Sequence, residues 1–337
     1  MKCLAMADLH QPAPRTRNPR RLYAALDLGT NNCRLLIARP SDSGFTVVDA
    51  FSRIVRLGEG LAASGKLSDE AIERAIEALT VCADKLSRRG VHLSRSVATE
   101  ACRQASNGGA FVERVYRETG IALDVIAPGE EARLAVAGCH ALLEEGDGPA
   151  LIFDIGGGST ELVLLEPGDG APIVAEWLSV PWGVVSLAEA EPHGSPDRDE
   201  RLAAYARMRA RAAESMADFI DHRMFAGEAP LRLLGTSGTV TTLGSVHLGL
   251  DAYDRRLVDG LKVPTESMRA ISADLAQRSV AERAELPCIG DERADLVVAG
   301  CAILEAILDI WPAPRVGVAD RGIREGILRA LIASGAR

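Results

Sequence analysis

Apolar residues recur along the chain with two distinct periods, and two stretches share one build. In residues 151–165, LIFDIGGGSTELVLL, an apolar run from Ala150 to Phe153 ends in Asp154. Three glycines (Gly156, Gly157, Gly158), then Ser159, Thr160 and Glu161 lead into a second run from Leu162 to Leu165. Residues 23–38, YAALDLGTNNCRLLIA, repeat the plan, with Asp27 and a turn through Gly29 between apolar runs. Short apolar runs about a glycine turn predict a strand, a tight turn and a returning strand. At one constant offset Asp27 falls on Asp154, Gly29 on Gly156 and Leu35 on Leu162. An internal repeat sets architecture. One such unit in each half of the chain predicts two similar α/β domains closing on one ligand.

The remaining pattern fills in both halves. Residues 45–57 read as further strand, and Gly58, Gly60 and Gly65 make a corner. Ser68 then caps a helix with Ile72, Ile76, Leu79, Ala83 and Leu86 on one face. Residues 93–103 predict a strand running into a turn that ends at Arg103. A helix with Phe111 and Val115, a strand at 123–127, and a helix opening on Glu130 and Glu131 follow. Residues 174–187 predict strand and corner with Trp177 and Trp182 in the core, before a polar loop at 189–200 and a helix at 198–223. LRLLGTSGTVTTLGSV, 231–246, gives a strand, a glycine loop and a helix start. A polar loop is expected at 251–263 and helices at 265–279 and 291–309. Gly300 lies inside the last of these, where glycine costs about 1 kcal/mol, so a close helix crossing is expected there. Strand, turn and helix end the chain at 314–331. Residues 1–20 carry three prolines and three arginines with no apolar periodicity. They read as a flexible basic tail and lack the apolar stretch of a signal peptide, with Met6 a second candidate start.

Composition narrows the classes. With 337 residues, 47% of them hydrophobic, two domains are the expectation. No apolar run reaches the roughly 18–20 residues of a membrane span. Seven cysteines are scattered without a C-x-x-C pair, which predicts reduced, buried thiols in a cytoplasmic protein. Six dispersed histidines offer no zinc spacing, and a net charge of −9 argues against general nucleic-acid binding. A locally positive cleft for a polyanion is compatible with that total.

The glycine turns suggest the chemistry. Glycines let backbone N–H groups approach a ligand closely, and a ring of such dipoles cradles anions. Asp154 and Glu161 flank the second turn, and Mg²⁺ (or Mn²⁺) favours a few carboxylates plus substrate phosphate oxygens. An ordinary hairpin with solvated acids satisfies the same pattern. The GTSGT stretch, with Gly235, Thr236, Ser237 and Gly238 before a helix, is a third anion-binding geometry. Acids in a first helical turn normally complement the helix dipole, which is the plain alternative for Glu130 and Glu131.

The motifs run in the order DLGTNN (27–32), ATEACRQA (98–105), PGEEARL (128–134), DIGGGSTEL (154–162), GTSGT (235–239), RADLVVAG (293–300) and DRGIREG (320–326). From residue 21 onward this resembles the exopolyphosphatase/guanosine pentaphosphate phosphohydrolase family, in its short, two-domain form. The third glycine loop departs from it, with Ser237 where many members pair glycines. The resemblance implies two actin-like (ribonuclease H-like) domains with a phosphate-binding cleft between them. The expected division is 21–127 and 128–319, with the closing helix 320–334 packing back on the first domain. It implies removal of terminal phosphate from inorganic polyphosphate by water, with metal assistance. Glu131 matches the catalytic glutamate, as general base. Asp27, Gly29, Thr30, Asn31, the second-loop glycines, Ser159 and the GTSGT residues are candidate phosphate binders, and Asp154 and Glu161 candidate metal ligands. Arg103 matches a phosphate-binding arginine. A homodimer is the implied assembly. Other readings are a 5′-phosphohydrolase of pppGpp, a kinase or ATPase of the same superfamily, and a silent polyphosphate or alarmone (pppGpp, ppGpp) sensor.

Overall fold

The computed structural model describes residues 21–42, 44–146, 148–166, 172–219 and 231–335. The expected basic tail lies outside these residues, as does the end of the helix expected at 198–223.

Two mixed sheets organise the chain. The first contains β1 (Tyr23–Leu28), β2 (Asn32–Ser41), β3 (Gly44–Ile54), β4 (Leu93–Ala98) and β5 (Leu123–Val125), in the order β3-β2-β1-β4-β5. The second contains β6 (Ala150–Ile155), β7 (Thr160–Glu166), β8 (Ile173–Val180), β9 (Arg232–Thr236), β10 (Lys262–Pro264) and β11 (Arg315–Ala319), in the order β10-β11-β9-β6-β7-β8. Without β10 the two orders match strand for strand. Each begins with an antiparallel meander and continues with parallel neighbours. Register matches as well: Asp27 faces Arg34 across β1–β2, and Asp154 faces Glu161 across β6–β7. Each glycine turn closes with the same bond, Gly29 N–H to Asn32 O and Gly156 N–H to Ser159 O, both at 2.9 Å. The repeat in the sequence is therefore a repeat in space, and the arrangement is α/β.

Helices make the parallel crossovers and bury the sheet faces. Asp69–Arg89 begins at Ser68, whose side chain accepts from Ala71 N–H, and buries Ile72, Ile76 and Leu79 as the pattern requires. In the second half, Gly238–His247 crosses Val297–Ile310 at Gly300, where a Cβ would lie 2.4 Å from Thr239 Oγ1. The mid-helix glycine has its explanation in that approach. The closing helix Ile323–Ser334 buries Ile323, Ile327, Leu328 and Ile332 against Tyr23, Ala25 and Leu36 of the first sheet. Beside it, Pro128–Cys139 puts Ala135 into the same cluster and Ala132, Val136 and Cys139 against Ile152 and Val163 of the second sheet. These two helices meet closely enough that a Cβ at Gly326 would stand 2.1 Å from Leu134 O.

Some expectations change. Arg103 sits on a short helix, Glu100–Gln104, rather than in a turn. Trp177 is 46% exposed because β8 is an edge strand, and its ring lies over Gly129 instead of entering the core. Trp182 packs half-buried on the second core. The polar stretch 251–263 contains a helical turn, Arg255–Val258, and the start of β10, and Arg255 ties it to Asp320 and Glu325. Among the described residues, no helix is long and apolar enough to cross a membrane. The described cysteines are free thiols, all buried except the half-buried Cys288.

Candidate active site

The two hairpin turns meet across the gap between the sheets. A Cβ on Gly157 would stand 2.9 Å from Thr30 Cβ and 3.0 Å from Asn31 N, and one on Gly158 would stand 2.8 Å from Thr30 Oγ1. The glycine run is thus needed for loop-to-loop approach as much as for a ligand. Behind it, Val184 and Val185 N–H donate to Gly156 and Gly157 O at 2.9 and 2.8 Å. Between the loops lies a cleft of about 150 Å³, space for a phosphoryl group and a few waters.

The third glycine loop forms the far wall. β9 ends at Thr236, and Ser237 takes φ 123°, a conformation rare for a residue with a Cβ. Its hydroxyl accepts from Thr239 N–H and caps the helix Gly238–His247, whose open N-terminus faces the cleft. Arg34 Nη2 and Arg293 Nη1 each lie 4.0 Å from the space above Gly238. Arg34 comes from β2 of the first sheet; Arg293 precedes the helix Val297–Ile310 and donates to Thr242 Oγ1 at 2.7 Å. Two guanidiniums and a helix N-terminus, supplied from both halves, make an arrangement suited to an anion.

Facing it are four carboxylates, two buried and two partly buried. Glu161 Oε1 accepts from Ser159 Oγ at 2.7 Å and Ser179 Oγ at 3.0 Å, beside its cross-strand partner Asp154. Burial pushes Asp154 up to about 6, against the lowering effect of Arg34. Burial, then the Asp154 charge, pushes Glu161 up to about 7. Asp27 is raised by burial as well, and its Oδ1 has no hydrogen-bond partner. Glu131, 7% exposed in the first turn of Pro128–Cys139, is pushed far above the usual carboxylate range by burial and then by Glu161. Its neighbour Glu130 instead pairs with Arg95 at 2.7 Å on the surface.

Among the described residues no group of three or more Asp, Glu, His or Cys side chains is arranged to hold an ion alone. The orphaned Asp27 Oδ1 and the adjacent Asp154–Glu161 pair are nonetheless hard oxygen donors brought to one side of the cleft. This donor set fits Mg²⁺, which completes its shell with phosphate oxygens and water.

Of the residues expected from sequence, Glu131, Asp27, Gly29, Thr30, Asn31, Gly156, Gly157, Gly158, Ser159, Thr236, Ser237, Gly238, Asp154 and Glu161 line this one cleft. Two do not. Gly235 packs inside, where a Cβ would strike the Phe153 ring at 2.6 Å. Arg103 is turned away from the lining: its Nη1 donates to Glu131 Oε2 at 2.8 Å and to Ile126 O at 2.7 Å, and its Nε to Glu100 Oε2 at 3.1 Å. Sequence reasoning missed Arg34. The signal was present, because the offset that carries Asp27 to Asp154 also carries Arg34 to Glu161. One hairpin carries a cation where its twin carries an anion.

Comparison with known proteins agrees with this geometry. The model of the Ppx/GppA phosphatase family matches residues 36–334. Exopolyphosphatase 2 of Mycobacterium tuberculosis is 32% identical over 300 residues, covering 84% of this chain and 89% of the relative. The solved structure of the Aquifex aeolicus PPX-GPPA enzyme superposes with a TM-score of 0.72 at 29% identity, over 92% of this chain and 99% of that one. An exopolyphosphatase structure from Cytophaga hutchinsonii gives a TM-score of 0.81 at 23% identity, over 94% and 99%, a likeness of fold.

Proposed function

The chain belongs to the Ppx/GppA phosphatase family, and from that premise we propose that its cleft removes the terminal phosphate of inorganic polyphosphate by hydrolysis. The observation that carries this reading is the convergence of two guanidiniums and a helix start from both halves with four carboxylates, Glu131 and Glu161 buried and Asp27 and Asp154 partly buried. The enzyme is a phosphoanhydride hydrolase with an actin-like two-domain fold. We divide it at residue 128, with the closing helix belonging to the first domain. A cytoplasmic homodimer is part of the same proposal.

In this reading the terminal phosphoryl group rests on the N–H groups of the two hairpin turns and the helix start at Gly238, with Arg34 and Arg293 on its oxygens. Hydrolysis needs a positioned water and neutralised charge on the transferring group. Water attacks the terminal phosphorus, and its proton passes to the carboxylate of Glu131. The bridging P–O bond breaks, and the shortened chain leaves with that oxygen. Arg103 fixes the Glu131 carboxylate and shares its charge. Mg²⁺, held by Asp154 and Glu161 with Asp27 beside them, supplies charge neutralisation and orientation when bound.

Among the described residues lining the cleft none is aromatic. A guanine base therefore finds no aromatic stacking surface there, which favours polyphosphate over pppGpp. Phosphate release measured on long polyphosphate, pppGpp and ATP side by side tests the reading. Polyphosphate is expected to give the largest kcat/KM, and preference for pppGpp would overturn it.

A further inference from the structure

We propose that Arg56 and Asp295 form a positioning pair that holds the two halves of the phosphate site in register. Arg56 Nη1 donates to Asp295 Oδ2 at 2.7 Å and Nη2 to Asp295 Oδ1 at 3.2 Å, across the seam between the domains. A bidentate fork of this kind fixes orientation as well as distance. The Glu292 carbonyl accepts a weaker third bond at 3.4 Å.

Both ends of the pair are fastened to residues of the site. The backbone N–H groups of Val55 and Arg56 donate to Asn31 O at 2.8 and 3.1 Å, and Gly58 N–H donates to Thr30 O at 2.9 Å. The segment 55–58 therefore clamps the first phosphate loop from behind. Arg56 does this at φ 45°, a left-handed conformation that costs energy for any residue but glycine. Asp295 lies two positions after Arg293, in the turn where Leu296 and Val297 N–H donate back to Arg293 O at 3.0 and 2.9 Å. The ion pair thus joins the support of the first loop to the turn that aims Arg293.

A second polar contact spans the same seam. Gly60 N–H donates to Glu189 Oε1 at 2.8 Å, and Glu189 lies on Val184–Ala190, the helix whose start is bonded to the second glycine loop. Between the two contacts lies a cavity of about 290 Å³ lined by Arg56, Glu189, His193 and Asp295 among others. This part of the seam is held by polar contacts around open space rather than by packed side chains. Removing the pair should leave each core intact and loosen only the relation between them. Substrate binding must then draw the halves together, and the apparent affinity falls by the fraction of molecules already closed.

The proposal rests on the hydrolase reading for its kinetic test, so a second readout needs no substrate. Arg56→Gly suits the left-handed backbone and removes only the side chain. On polyphosphate it is expected to raise KM by about two- to fivefold with kcat nearly unchanged, in the range for a partly exposed pair. Arg56→Lys keeps a charge and should recover part of the loss. Asp295→Asn alone is a poorer probe, because the buried Arg283 also feels the Asp295 charge. In the substrate-free chain, hydrogen exchange at the Gly60 amide should quicken in Arg56→Gly, although Arg56 does not touch that bond. Unchanged KM together with unchanged Gly60 exchange overturns the proposal. Loss of kcat in step with a lowered Tm, at constant KM, also overturns it, since that is the mark of a merely structural residue. If polyphosphate is not hydrolysed at all, the exchange result still decides.

Discussion

Arg103 holds Glu131: its Nη1 lies 2.8 Å from Glu131 Oε2, and the same nitrogen is anchored on Ile126 O. A guanidinium buried against two carboxylates opposes the rise that burial and Glu161 impose on Glu131. The arginine favours the ionised form of the glutamate and aims it.

Arg103→Gln should therefore move the acidic limb of the kcat–pH profile to higher pH. Glu131 must be deprotonated to accept a proton, and losing the adjacent cation raises its pKa further. Activity lost at neutral pH should return in part at alkaline pH, and Arg103→Lys should lie between. A uniform loss at every pH, with KM raised instead, would return Arg103 to direct phosphate binding.

The buried carboxylates also tie stability to pH. Asp154 and Glu161 are raised from their usual 3.8 and 4.5 to about 6 and about 7. A raised carboxylate contributes stability below its unfolded pKa and loses it as pH climbs through the folded one. The metal-free chain should thus melt at lower temperature at pH 8 than at pH 5, with the fall concentrated between about 4 and 7. Mg²⁺ should recover much of the loss at pH 8, and Asp154→Asn should flatten the slope and remove the Mg²⁺ effect. Calorimetry with and without chelator measures both, and a Tm indifferent to Mg²⁺ would count against the carboxylate site.

Gly157→Ala tests loop closure. Its methyl would stand 2.9 Å from Thr30 Cβ, closer than real Cβ atoms come, and tight against Asn31 N at 3.0 Å. Turnover should collapse while Tm shifts little, because the clash lies between the halves and not within a core. An active Gly157→Ala enzyme would mean that the loops need not meet during catalysis.

Much of this was legible in sequence because a hairpin has period two and a glycine turn has few alternatives. The constant offset between Asp27 and Asp154 gave the doubled sheet, and Gly300 announced a helix crossing that Thr239 now fills. Trp177 was misread because an apolar residue on an edge strand looks the same as one on a central strand until the strand order is known. Arg103 was expected in the cleft from its motif match, and Gly235 from its place in a glycine loop before a helix. Motif position cannot say which way a guanidinium turns or which side of a strand end a glycine faces. The cross-seam pair of Arg56 and Asp295 left no trace in any local pattern, since its partners are far apart in the chain.

The central claim is that Glu131 is the base, and paired glutamine substitutions test it most directly. Glu131→Gln preserves shape and removes the proton acceptor, so kcat on polyphosphate should fall by about 10²–10⁴. KM should hold or decrease, because a negative charge beside the phosphate has gone. Glu130→Gln breaks only a surface pair with Arg95 and should change kcat little. Equal losses in the two variants, or a Glu131→Gln enzyme that turns over normally and binds weakly, would contradict the account.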